Sequence, residues 1–195
     1  MYNEKEIKHL IYPFLNKKVI FPSSSFQLRF AAVMIIIHFT KKIPYVILIR
    51  RTKLVINHAG EISFPGGNFM EEDVNMLGTA IRETSEEIGI RIKKQQVIGY
   101  LNAVKTVTSQ YIIYPYIALI GKIPKITSTN YEVEKIIDAP LISLLKTRQN
   151  DTEHQQEFSI SQLPKFNYKN EIIWGATAKI LVQLADLFSR EIDLN

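Results

Sequence analysis

Two apolar runs set the terms for any fold of this chain. "FAAVMIIIHF", Phe30 to Phe39, and "YVILIRR", Tyr45 to Arg51, are dense in β-branched residues and separated only by "TKKIP". Such runs read as buried strands joined by a turn. "QVIGYLNAV" (96–104) and "YIIYPYIALIG" (111–121) read as further strands, and "VEKIIDAPLISLL" (133–145) as a strand that passes a proline into a short helix. Residues 3–16 put Ile7, Leu10, Ile11 and Phe14 on one stripe and predict an amphipathic helix. "FPSSS" and "GEISFPGGN" read as loops, "FSISQLPKFNYKN" (158–170) as a last hairpin, and residues 174–192 as a C-terminal helix with a broad apolar face. Strands mixed with helices predict one α/β or α+β domain over residues 1–195, its helices packed on a sheet, with residues 1–20 as an N-terminal helical extension.

At 195 residues and 46% hydrophobic the chain suits one sizeable core. The longest apolar run, Ala31 to Ile37, is far short of the roughly 20 residues that span a bilayer, and "MYNEKEIKHLIYPFL" lacks the layout of a signal peptide. With no cysteine, thiolate chemistry and disulfides are excluded. A cytoplasmic protein is the expectation. A net charge of +5 suits a polyanionic small molecule such as a nucleotide. Its basic residues are scattered, grouped at most into short pairs such as Lys41-Lys42 and Arg50-Arg51, which argues against nucleic acid as a partner. A homodimer stays open.

The stretch that speaks of chemistry is "RETSEEIGI", Arg82 to Ile90. Residues 73–88 predict a helix, with Asp73 as its N-cap and Gly89 as a left-handed C-terminal cap. On a helical wheel Val74, Leu77, Ile81, Thr84 and Ile88 form the expected buried stripe, and Glu83, Glu86 and Glu87 fall on the opposite side. Three like charges this close repel, and Arg82, four residues before Glu86, can brace one of them. A divalent cation would turn the remaining repulsion into coordination, since Mg²⁺ takes oxygen ligands and bridges carboxylates to phosphates. "SFPGGNF" just upstream supplies glycines that let a backbone approach a ligand closely.

Together these residues resemble the signature of the Nudix hydrolases: glycine, five residues, glutamate, seven residues, then Arg-Glu-apolar-x-Glu-Glu-x-Gly-apolar. Gly67 matches the first glycine, and Arg82, Glu83, Glu86, Glu87, Gly89 and Ile90 the second half, with Thr84 in the apolar slot. Asp73 stands where the pattern has glutamate, and eight residues rather than seven separate it from Arg82. "HAGE" and "FPGG" ahead of the box, and "LNAVKT", "YPYIALI" and "IIWGATAKIL" after it, are similar to the coenzyme A pyrophosphatase branch, so the resemblance runs over residues 25–185. That branch has an arginine where this chain has Ile56.

The resemblance implies an α/β/α sandwich with a mixed central sheet and the helix of the box packed on it. It implies metal-dependent hydrolysis (Mg²⁺ or Mn²⁺) of a nucleoside diphosphate linked to a further group: coenzyme A or an acyl-CoA first, with ADP-ribose, NADH, dinucleoside polyphosphates or oxidised nucleotides as the alternative. A non-catalytic nucleotide- or RNA-binding module of the same fold is a second alternative. Glu83, Glu86 and Glu87, with the Gly67 carbonyl, are the expected metal ligands. Glu86, Arg82 and an acid from a later loop, Glu132 or Glu134, are the expected catalytic groups. Arg50, Arg51, Lys53, His58, Lys105 and Gly66 are the candidates for holding substrate. Trp174 and the tyrosines at 111–116 read as core or sheet-face residues.

Overall fold

The structure, a computed structural model, describes residues 2–18, 28–54, 59–106, 110–123, 126, 131–152, 163–192 and 194. The two long apolar runs form β1 (Arg29–Thr40) and β2 (Ile43–Arg51), antiparallel neighbours. Lys41 and Lys42, at φ 50° and 63°, make the two-residue turn between them, and positive φ at both positions matches the twist of the flanking strands. After β3 (Ile62–Ser63) and β4 (Gly66–Asn68), the sheet is completed by β5 (Val97–Tyr100), β6 (Val104–Lys105), β7 (Tyr111–Ile120) and β8 (Val133–Pro140). β7 runs parallel to β1 in register from Arg29–Tyr111 to His38–Ile120, while β2 pairs antiparallel with β8, so the sheet is mixed. Among the described residues a second, small sheet holds β9 (Gln149–Asn150), β10 (Pro164–Tyr168) and β11 (Glu171–Ile173).

The near-unbroken apolar character of β1 follows from burial on both faces. Ala32, Met34 and Ile36 point to one core with Met76, Ala80 and Ile88 of α2 (Met76–Ile88). Ile35 and Ile37 point to the other. There they meet α1 (Glu4–Ile11), α3 (Leu141–Leu145) and α4 (Gly175–Phe188). The result is the α/β/α sandwich, with α2 alone on its side of the sheet among the described helices.

Several boundaries differ from those the sequence predicts. α1 stops at Ile11 and becomes a 3₁₀ turn, Tyr12–Phe14, because Pro13 has no amide to continue the ladder. Phe14 is consequently 50% exposed rather than part of the buried stripe, and lies under the Arg190 guanidinium at 4.3 Å. The strand expected over 96–104 is two strands, β5 and β6, with Leu101–Ala103 between them. The last hairpin is β10–β11, later than expected; residues 158–162 of the expected one lie outside the described set. Tyr114 and Tyr116 are buried and Tyr111 and Trp174 half-buried, as sheet and core residues. No described helix is long and apolar enough to cross a membrane.

Candidate active site

α2 begins at Met76, not at residue 73. Its N-cap is Asn75, whose side chain accepts the Gly78 amide at 2.9 Å. Asp73 instead sits in a 3₁₀ turn (Glu71–Asp73) and accepts the Met70 amide at 3.0 Å. At the other end Gly89 takes φ 72° and closes on Ser85, as its position in the sequence implies.

The buried face of α2 is Met76, Thr79, Ala80, Thr84, Glu87 and Ile88. That is about a quarter-turn from the expected stripe at about 100° per residue: Val74 is 86% exposed, and Leu77 and Ile81 are only half-buried. Consequently the three glutamates do not share one wet face. Glu87 is 1% exposed, while the side chains of Glu83 and Glu86 are 15% and 52% exposed. The cause lies outside the helix. "GEISFPGGN" is not a free loop: β3 pairs with β2, and β4 pairs with β1 through Val33–Gly66, Ala32–Gly67 and Ala31–Asn68. This strap runs alongside α2. The Gly66 amide donates to Glu87 Oε2 at 2.9 Å, and the Glu83 carboxylate rests so close to Gly67 that a Cβ there would lie 2.4 Å from its Oε1. Glycine is therefore needed at 67 so that the Glu83 carboxylate can lie on backbone, and at 66 because a Cβ there would lie 2.3 Å from the Ala32 carbonyl oxygen of β1.

Two arginines offset the clustered negative charge. Arg82 Nη1 donates to Glu83 at 2.9 Å and to Glu86 at 3.0 Å, the latter being the brace expected from the i,i+4 spacing. Its Nε and Nη2 are held by Asp73 at 2.7 and 3.0 Å. Arg51 reaches Glu132 at 3.0 Å and Glu87 at 3.7 Å. A register shift where Arg50 and Arg51 face β8 re-aims this end of the strand pair. Arg50 goes elsewhere, ion-paired with Glu171, which Lys135 also holds, and 3.8 Å from Glu134. Of the two later acids, Glu132 thus joins the cluster and Glu134 does not. Lys53 and Lys105 are exposed and outside these contacts. Ile56 and His58 fall outside the described residues. Asp73 is the member that sequence reasoning miscast. Its place nine residues before Arg82 is no helical spacing, so only the departure from the motif hinted at it.

Burial decides the electrostatics. It pushes the Glu87 carboxyl up to about 8, against the Gly66 amide and Arg51, and raises Glu83 against Arg82. The Arg82 hydrogen bond holds Asp73 down to about 2. Among the described residues no three acid or histidine side chains are grouped tightly enough to hold a metal as they stand; Asp73, Glu83 and Glu86 converge on Arg82, and Glu87 and Glu132 on Arg51. The donors nonetheless suit a hard divalent cation. All are oxygens, the absence of a Cβ at Gly67 lets the Glu83 carboxylate lie on the strap, and burial disfavours a charge on Glu87 that further positive charge would stabilise.

Comparison with known proteins identifies the family. The NUDIX domain family matches residues 28–163. A Nudix hydrolase of Photorhabdus laumondii, NudL, is 33% identical over 165 residues, 80% of this chain and 83% of that protein. The mitochondrial coenzyme A diphosphatase NUDT8 of Mus musculus is 32% identical over 156 residues, 77% of this chain and 73% of that protein. Among solved structures, a MutT/nudix family protein from Enterococcus faecalis shares the fold with a TM-score of 0.57 at 13% identity, over 94% of this chain and 68% of that one. A NUDIX hydrolase from Alicyclobacillus acidocaldarius does so with a TM-score of 0.56 at 14% identity, over 88% and 100%. The motif carried by α2 and its glycine strap, the fold and the relatives all point to one family: the chain belongs to the Nudix hydrolases, pyrophosphohydrolases of nucleoside diphosphate derivatives.

Proposed function

We propose that the chain hydrolyses the pyrophosphate bond of coenzyme A or an acyl-CoA, giving 3′,5′-ADP and (acyl-)phosphopantetheine. The observation that carries the chemistry is the contact of Glu83 and Glu87 with the Gly66–Gly67 strap. The coenzyme A assignment is supported by the mouse relative, named a coenzyme A diphosphatase, and by the "HAGE" and "FPGG" stretches. In this reading Glu83, Glu86 and Glu87, with the Gly67 carbonyl, hold Mg²⁺ or Mn²⁺, which when bound offsets substrate charge and lowers the pKa of coordinated water. Water adds to one phosphorus of the anhydride, the bridging P–O bond breaks, and one phosphate leaves as a monoester. Glu86, the most exposed of the three, takes the water's proton. Glu132, brought in by Arg51, is the second acid of the site, and Arg82 orients Glu83 and Glu86. Arg51 is the best placed of the candidate substrate cations; Lys53, Lys105, His58 and the Gly66 backbone complete the set.

Ile56 in the arginine slot favours a second reading within the same chemistry, with ADP-ribose, NADH, a dinucleoside polyphosphate or an oxidised nucleotide as substrate. One screen separates the readings. Coenzyme A, acetyl-CoA, ADP-ribose, NADH and diadenosine polyphosphates are incubated with Mg²⁺ or Mn²⁺ and the products identified. Release of 3′,5′-ADP, abolished in Glu86→Gln and Glu87→Gln, is the expected result. Turnover of another nucleotide alone overturns the coenzyme A reading. Turnover of none would point to a binding module.

A further inference from the structure

The segment joining the glycine strap to α2 carries one residue more than the family pattern, and its backbone is unusual there. Val74 has φ 62° and ψ −40°, a left-handed conformation that β-branched residues avoid. The Asp73 carbonyl accepts the Asn75 amide at 2.6 Å, which makes Val74 the centre of a γ-turn of the rare, strained hand. Its side chain is 86% exposed, so burial does not explain the conformation.

What the turn achieves is a seat for Asp73 on the helix. The Asp73 carbonyl lies against Gly78, where a Cβ would come within 2.0 Å of that oxygen. Only glycine admits the approach. From that seat the carboxylate reaches Thr79 Oγ1 at 2.9 Å and both Nε and Nη2 of Arg82. Aspartate is one methylene shorter than the glutamate of the pattern, so the two departures from the motif act in opposite directions. The shorter acid loses reach toward Arg82, and the added residue, wound into a γ-turn over a glycine, brings the acid's backbone onto the helix.

We propose that Asp73, Val74 and Gly78 form one compensating unit: the extra residue at 74 restores the reach lost at 73, and the unit sets the Arg82 guanidinium on Glu83 and Glu86. Asp73 is a positioning residue that acts through Arg82. The proposal rests on the hydrolase reading for its rate measurement alone.

The test is a cycle of four full-length chains: the natural one, Asp73→Glu, deletion of Val74, and both changes together. Thermal unfolding is measured without divalent cation, and kcat and KM with the substrate found in the screen. Each single change is expected to lower the unfolding temperature by about 5 °C or more. It should lower kcat by about tenfold or more with KM within about threefold, as misplacement of a catalytic group does. The combined chain, which restores both acid length and spacing, should recover both quantities to near the natural values. Gly78→Ala should be damaging in the natural chain and tolerated in the combined one, where no γ-turn presses on it. Single variants that fail to fold, beside a combined chain that folds, support the proposal equally. A harmless deletion of Val74, or a combined chain no better than the worse single, overturns it. If the natural chain hydrolyses none of the nucleotides, the hydrolase reading fails while the unfolding cycle still decides this one.

Discussion

Glu87 is buried in the fold at an electrostatic cost, and replacing it by glutamine measures that cost. Folding moves its carboxyl from an ordinary 4.5 to about 8, chiefly by burial. The folded chain binds this proton more tightly than the unfolded chain. The group therefore favours folding fully below pH 4.5, and that advantage is lost as the pH rises through about 8. At pH 7.5 the folded state bears about 4 kcal/mol of this penalty, at about 1.36 kcal/mol per pH unit. Glu87→Gln removes the titration and keeps an oxygen to accept the Gly66 amide now bonded at 2.9 Å. Without divalent cations at pH 7.5 the variant should unfold about 8–16 °C above the natural protein, at roughly 2–4 °C per kcal/mol for a chain of this size. Near pH 4.5 the gap should shrink to less than about 0.5 kcal/mol. Mg²⁺ or Mn²⁺ should raise the unfolding temperature of the natural protein and not of the variant, and the variant should lose hydrolysis. Circular dichroism melts in EDTA from pH 4.5 to 8.5 supply the curves. A variant no more stable than the natural protein at pH 7.5, or a gap indifferent to pH, would refute the reasoning.

The remaining predictions use the same contacts. Asp73→Asn should cost about 2–3 kcal/mol near neutral pH, the value of a carboxyl held from 3.8 down to about 2 by the Arg82 hydrogen bond. That stabilisation is present above pH 3.8 and lost as the pH falls through about 2, so the acid limb of the stability curve should flatten in the variant; an unchanged limb counts against the pairing. The two strap glycines should separate by assay. A Cβ at Gly66 meets Ala32 backbone oxygen at 2.3 Å, whereas one at Gly67 meets only the movable end of Glu83. Gly66→Ala should therefore cost about 2 kcal/mol or more in stability. Gly67→Ala should stay within about 1 kcal/mol in stability yet lose up to about 100-fold in kcat, and equal effects of the two on both readouts would contradict this. Replacing Lys41-Lys42 by Asn-Gly should raise the urea midpoint by the equivalent of about 1–2 kcal/mol, because lysine is strained at positive φ and Asn-Gly is not; a lower midpoint would argue against a left-handed turn there.

Much of this molecule is legible in its sequence. The apolar runs at 30–39 and 45–51 read as strands because β-branched residues suit a pleated, buried surface and the short polar stretch between them suits a turn. Gly89 as a helix cap and Arg82 as a brace for Glu86 follow from helical spacing in the same way. The family motif falls on one helix and one strap, so Glu83, Glu86 and Glu87 could be singled out as candidates from the sequence. What the chain could not reveal was the rotation of α2. A wheel ranks apolar faces, and here Val74 and Leu77 outscored positions that the sheet and strap require. The glycine strap pairs with β1 and pulls Glu87 beneath it, so a carboxylate takes a core position that periodicity assigns to an apolar residue. Neighbours in sequence likewise parted company: Arg51 and Glu132 enter the cluster, Arg50 and Glu134 leave it. That division is set by strand register and a shift between β2 and β8, whose partners lie far apart in the chain. Local chemistry is written residue by residue, but which face of a helix is buried, and which of two adjacent charges turns inward, is decided only when distant segments pair and exclude water between them.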